Sequence, residues 1–162
     1  MYSVACTYSF HAIKHIAMGE GGCLTTNDDK IAKIVREKRN HGMIRNKDEM
    51  KFLPEKNAKW YYEMHDMGWN YRADELTCAL GLSQLKRLSE FVEIRNSLAT
   101  LYLEKLDKFP LSFQKILNKC QSSYHLFTIQ ITDKQFARDK LFEFLNDRNI
   151  GCQVHYIPIH LQ

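Results

Sequence analysis

Several features that would settle the function of a chain quickly are missing here. The five cysteines, Cys6, Cys23, Cys78, Cys120 and Cys152, form no close pair. That spacing excludes a disulfide framework and a zinc ribbon, and fits a reducing cytoplasm. No run approaches the ~18 apolar residues of a membrane span, and Ser9, His11 and Lys14 interrupt the only leader-like stretch. Secretion and membrane insertion are therefore not expected. There is no internal repeat, no low-complexity tract, and no Gly-x-Ser-x-Gly, Walker or dinucleotide signature. Charge of one sign is also scarce. Lys plus Arg number 23 against 19 Asp plus Glu, a net charge of +4, and the two signs are interspersed, so no polyanion-binding tail exists.

What remains is the composition of an ordinary folded chain. In 162 residues, 44% are hydrophobic and 26% charged, enough for a core without a metal or disulfide staple. Residues 2–8 and Gly22–Thr26 read as strands on either side of a glycine-punctuated turn. Asn27 is expected to cap a helix with Asp28 and Asp29 in its first turn, Ile31, Ile34 and Val35 on one face, and Gly42 as its stop. Residues 45–59 carry eight charges around Pro54 and read as a solvated loop. An aromatic cluster follows, comprising Trp60, Tyr61, Tyr62, Trp69 and Tyr71. Asp74 is expected to cap a helix bearing Leu76, Leu80, Leu85 and Leu88. A second helical stretch carries Leu98, Leu101, Tyr102, Leu106 and Phe109, and ends at Pro110. The remainder reads as a strand over Tyr124–Ile131, a helix capped by Asp133 with Leu141 and Leu145, and a strand alternating Cys152, Val154 and Tyr156.

The densest polar cluster is Ser9-Phe-His-Ala-Ile-Lys14 with Gly19-Glu-Gly-Gly22. A lysine chosen at random is almost always a solvated surface charge. Lys14 differs because Ala12, Ile13 and Ile16 surround it, and partial burial disfavours an ammonium and makes a carbonyl-directed nucleophile. Ser9 could serve a phosphate, and the glycines permit close backbone approach to a cofactor. The residues alone leave the Schiff-base and surface readings of Lys14 both open. Metal binding is not expected: His11 with His15, and His155 with His160, lack a carboxylate or cysteine to complete a ligand set. Aromatics among basic residues at Lys56–Tyr62 could stack on nucleic-acid bases, but a hydrophobic anchor at a domain or subunit boundary is the favoured reading, and no nucleic-acid partner is expected.

Resemblance adds to this. Ser9–Lys14, Gly19–Gly22 and Thr25-Thr-Asn-Asp28 resemble the DegT/StrS sugar-nucleotide aminotransferases. So do Trp60-Tyr-Tyr-Glu63, Gly68-Trp-Asn-Tyr-Arg72 with Asp74, Ala79-Leu-Gly-Leu-Ser-Gln-Leu85 and Val154-His-Tyr-Ile-Pro-Ile-His160. The blocks keep the family's order across essentially the whole chain, and within the family the wording is most similar to the pseudaminic acid branch. The resemblance implies an α/β, partial fold-type I architecture dependent on pyridoxal 5′-phosphate. Residues 1–85 would be the C-terminal part of the large cofactor-binding domain, and 86–162 the start of a small α+β domain.

The same resemblance implies roles. Lys14 would form the Schiff base with the cofactor, and Ser9 would donate to its phosphate. Asn70 would reach a phosphate in the neighbouring subunit of a homodimer. His155 and Tyr156 would lie where the small domain closes over the nucleotide sugar. The reaction would move an amino group from glutamate to a nucleotide-linked 4-keto-6-deoxy sugar, for surface polysaccharide or flagellin glycan synthesis. Family members are longer, and the upstream phosphate loop, stacking ring and pyridine-pairing aspartate have no counterpart here. The chain is thus expected to be an internal piece of such an enzyme, exposing apolar faces and prone to associate. Ala17-Met18 replaces hydroxyl residues common before the Gly-Glu-Gly-Gly. A non-catalytic module retaining only dimer or interaction surfaces is the alternative expectation.

Overall fold

A computed structural model describes residues 3–52 and 58–162. Pro54 and Lys56, part of the charged loop read from the sequence, lie outside them. The chain divides into two compact units, Met1–Phe91 and Val92–Gln162.

In the first unit, β1 (Ala5–Ser9) pairs antiparallel with β2 (Gly22–Thr26), with Ser9 opposite Gly22 and Ala5 opposite Thr26. Helix α1 (Asp29–Lys38) follows, and Asp28 rather than Asn27 is its cap. The Asp28 carboxylate accepts from the backbone N–H of Lys30 at 2.8 Å and of Ile31 at 3.1 Å. The Thr26 hydroxyl accepts the Asp28 N–H at 3.0 Å, which fixes the entry into the helix one residue later than expected. Gly42, at φ 68°, turns the chain out of the helix as expected. Strand β3 (Met43–Ile44) pairs antiparallel with β4 (Glu63–Met64). Between them, a short 3₁₀ turn at Lys47–Glu49 is capped by Asn46, where the sequence suggested only loop.

Asp74 caps α2 (Glu75–Leu85), its carboxylate accepting the Thr77 N–H at 2.9 Å. Leu88, assigned from the sequence to this helix, instead opens α3 (Leu88–Leu106), and Phe109 falls beyond the end of α3. Among the described residues, no helix is long and apolar enough to cross a membrane.

The second unit departs more from expectation. Strand β5 (Leu111–Phe113) pairs antiparallel with β6, which covers only Ile129–Ile131. The rest of Tyr124–Ile131 is not strand. Arg95 donates to the carbonyls of Tyr124 at 3.1 Å and His125 at 3.4 Å, and Asn96 donates to that of Ser122 at 3.0 Å. Side chains of α3 thus take backbone acceptors that a sheet ladder would use, and Tyr124 sits at φ 43°, outside the extended region. The rings of Tyr102, Phe113 and Tyr124 gather around Phe127 with centroid separations of 5.0, 5.8 and 6.3 Å.

Asp133 does not cap the following helix. Its carboxylate accepts the Gln135 N–H at 2.8 Å in a separate turn, and α4 (Arg138–Asn146) starts after Ala137 with no side-chain cap. The alternation at Cys152, Val154 and Tyr156 forms no strand, because among the described residues no partner strand pairs with it. Alternation supplies a face, but a strand also needs a ladder.

Candidate functional site

The loop between β1 and β2 carries two of the sequence-predicted residues. Ser9 ends β1 and is exposed, and its hydroxyl oxygen accepts the His11 N–H at 3.5 Å. The loop is folded on itself. Phe10 N–H donates to Gly21 O at 2.8 Å, Met18 N–H to Phe10 O at 2.9 Å, and Lys14 N–H to His11 O at 2.8 Å. These bonds hold Lys14 in a tight turn, half-buried. Of the apolar neighbours expected around it, Ile16 is buried, whereas Ala12 and Ile13 are exposed. His11 faces Glu20 across the turn at 3.4 Å, and no metal-binding cluster occurs among the described residues.

Met18 explains what the sequence left as a departure. It is buried at 6% exposure, and a Cβ placed on Gly81 would meet its side chain at 3.3 Å. Its side chain lies between the loop, where a Cβ on Gly21 would meet its sulfur at 2.6 Å, and Gly81 of α2, and a polarisable thioether suits that apolar position.

Asn70 lies on the segment that returns from β4. A bridge pairs it with Asn40, just past the end of α1. The crossing is close: Trp69 N–H donates to Lys38 O at 2.7 Å, His41 N–H to Trp69 O at 2.8 Å, and Tyr71 N–H to Arg39 O at 2.9 Å. Two glycines permit it. A Cβ on Gly68 would meet the Gly42 nitrogen at 2.3 Å, and one on Gly42 would meet Asp66 O at 2.1 Å. The Lys38 ammonium adds a clamp, bonding the Asp66 carboxylate and donating to Met67 O at 2.8 Å. That bond holds the Asp66 carboxyl below its ordinary range.

His155 and Tyr156 belong to the second unit. Both are exposed, on irregular backbone, and their rings meet edge-on with centroids 4.2 Å apart. The aromatic cluster of the sequence resolves into two pairs: Trp60 against Tyr61 at 6.0 Å, and Trp69 stacked on Tyr71 at 5.7 Å. Trp60 is 79% exposed.

Sequence reasoning gave Glu63 no role, yet it is the buried charge of the described chain, at 7% exposure. Its carboxylate accepts the N–H groups of Lys51 and Phe52, both at 2.7 Å, the Tyr61 hydroxyl at 3.2 Å, and a bond from the His65 imidazole. Burial pushes its pKa up, but the hydrogen bonds from His65, Lys51, Phe52 and Tyr61 outweigh it and bring the pKa down to about 2. The signal for this hub was an acidic residue among aromatics with a histidine two positions later, and sequence spacing cannot reveal the two backbone donors.

The family model for DegT/DnrJ/EryC1/StrS aminotransferases matches residues 2–162. The spore coat polysaccharide biosynthesis protein SpsC of Bacillus subtilis is 34% identical, across 97% of this chain and 41% of that protein. The UDP-4-amino-4,6-dideoxy-N-acetyl-beta-L-altrosamine transaminase of Helicobacter pylori is 36% identical, across 98% of this chain and 40% of that protein. Among solved structures, Helicobacter pylori PseC, an aminotransferase involved in pseudaminic acid biosynthesis, superposes with a TM-score of 0.84 at 35% identity, covering 98% of this chain and 40% of that one. The α/β, partial fold-type I architecture expected from the sequence agrees with that likeness. The chain spans about 40% of the length of the relatives it matches.

Proposed function

We propose that this chain, which belongs to the DegT/DnrJ/EryC1/StrS aminotransferase family, supplies the lysine-bearing part of an enzyme that moves an amino group from glutamate to a nucleotide-linked 4-keto-6-deoxy sugar. The observation that carries this reading is the β1–β2 loop, which fixes a half-buried Lys14 five residues beyond an exposed Ser9 hydroxyl. Residues 1–85 would then be the end of a cofactor domain, and 86–162 the start of a smaller one, within a homodimer.

The donor set suits pyridoxal 5′-phosphate. A primary amine (Lys14) is the group that condenses with an aldehyde, and a hydroxyl (Ser9) and a carboxamide (Asn70) are neutral donors to a phosphate. When bound, the cofactor would supply the electron sink that transamination requires. Lys14, its N–H bonded to His11 O, would anchor it and then carry a proton between substrate carbon and cofactor. Ser9 would hold the phosphate from the same loop, so that anchor and phosphate keep a fixed spacing. Asn70 would do so for the neighbouring subunit, and His155 with Tyr156 would offer an imidazole and a phenol to the nucleotide sugar.

A non-catalytic module is supported by a different observation, the extent of exposed apolar surface: Leu76, Trp60 and Ile159 are 84, 79 and 87% exposed. The two readings separate in one experiment. The chain is co-expressed with the remaining length of a family member and titrated with pyridoxal 5′-phosphate, then glutamate. The enzyme reading expects a yellow complex whose absorbance changes with glutamate, lost in Lys14→Ala and kept in Lys30→Ala on the exposed side of α1. A colourless assembly supports the module instead, and one equally coloured without Lys14 overturns the assignment of Lys14.

A further inference from the structure

Arg72 sits two residues beyond Asn70 and bridges two asparagines. Its Nε donates to Asn70 Oδ1 at 2.8 Å, and its Nη1 donates to Asn40 Oδ1 at 2.9 Å. The backbones of Asn40 and Asn70 are themselves paired. The guanidinium thus closes a small ring of hydrogen bonds from one strand of the crossing to the other, through a rigid planar fork that lysine cannot reproduce.

The consequence lies in which end of the Asn70 amide is left over. A carboxamide offers an acceptor oxygen on one side and two N–H donors on the other. A guanidinium carries donors only, so it fixes the assignment: Asn70 must turn its oxygen to Arg72. The –NH₂ is then the end presented outward. Without Arg72 the side chain could turn either way, and the wrong way would set a carbonyl oxygen against an anion.

We propose that Arg72 is a positioning residue that locks the Asn70 carboxamide as a hydrogen-bond donor toward an anionic ligand, with Asn40 as the second anchor of the guanidinium. The inference rests on the reading of Asn70 as a phosphate partner for its functional meaning, but the lock itself is a property of this chain without cofactor. Charge-assisted bonds of this kind are stronger than neutral ones, and the fork uses two of them.

The lock is read directly by nuclear magnetic resonance on the 162-residue chain. A coupling across the hydrogen bond is expected between Arg72 Nε and Asn70 Cγ. Exchange of the Arg72 Nε proton should quicken about tenfold or more in Asn70→Ala, and Asn40→Ala should also quicken it. Asn70→Asp and Asn40→Asp, whose carboxylates still accept, should keep it slow. In Arg72→Ala and in Arg72→Lys the Asn70 –NH₂ resonances should move toward those of a free asparagine, while the β1–β2 amide signals stay in place and report an intact fold. Failure of the cofactor reading at Lys14 would leave these signals untouched. Unchanged Asn70 –NH₂ resonances in Arg72→Ala, with the fold intact, would overturn the proposal, as would a fast-exchanging Arg72 Nε proton in the unaltered chain.

Discussion

The two units of this chain are held in different ways. Met1–Phe91 is organised by specific polar clamps and a glycine crossing: the Glu63 hub, Lys38 on Asp66 and Met67, Arg72 between two asparagines, and Gly42 against Gly68. Val92–Gln162 is organised by a ring cluster around Phe127 and by Arg95 and Asn96 holding loop carbonyls. Polar clamps fix position and orientation, whereas ring packing tolerates adjustment. The candidate anchoring residues Ser9, Lys14 and Asn70 fall in the first kind of region, and His155 and Tyr156 in the second. A group that must meet a reacting atom needs the stiffer support.

Gly68→Ala is the strongest way to break this contrast. Its methyl would meet backbone atoms at 2.3 Å (Gly42 N) and 2.8 Å (Lys38 O), which cannot rotate away, so we expect a loss of about 3 kcal/mol or more. Urea titration followed by resonances of the first unit measures it, and an unchanged midpoint would show that the crossing is slack. Phe127→Ala should cost less, about 2 kcal/mol, because the ring is only half-buried and its three partners can close in. Its effect should fall on the signals of Val92–Gln162.

Acid should act on the first unit through its carboxylates. Glu49, Glu63, Asp66, Asp74 and Glu90 are all held below their ordinary range, and all lie in the first unit. For Glu63 the folded value of about 2 lies below the ordinary 4.5. Its ionised form therefore stabilises the fold fully above about 4.5, and that contribution is lost as the pH falls toward about 2. The β3–β4 amides should lose protection across that window, and Glu63→Gln should flatten the dependence. Protection that is independent of pH in the unaltered chain would contradict the hub. The smallest effect concerns the cap of α1. Asp28→Ala should cost about 1 kcal/mol, and Asn27→Ala no more than about 0.5 kcal/mol, by thermal melting. Equal losses would restore Asn27 as the cap.

The same division governs what could be read from the residues. Strands β1 and β2, helix α1 and the Asp74 cap were legible because their signals are local: short β-prone segments beside a glycine-punctuated turn, an N-cap before a periodic run, a glycine stop. The Tyr124–Ile131 and Cys152–Tyr156 strands failed because a strand depends on its partner. At Tyr124 and His125 the side chain of Arg95 takes the carbonyls, and at Cys152 no described strand runs alongside. In the candidate site, Lys14 and Ser9 were visible through a motif of six residues. Glu63 and Arg72 acquire their meaning from Lys51, Phe52 and Asn40, which are 12, 11 and 32 positions away in the chain, and no spacing rule reaches that far.

Peptide mapping decides whether Lys14 is the lysine that would hold the cofactor. The chain, assembled with the remaining length of a family member, is treated with pyridoxal 5′-phosphate and borohydride, digested, and analysed by mass spectrometry. A single pyridoxyl group is expected on the peptide containing Ser9–Lys14, absent in Lys14→Ala. A pyridoxyl group fixed to another lysine, or spread over many, would contradict that assignment.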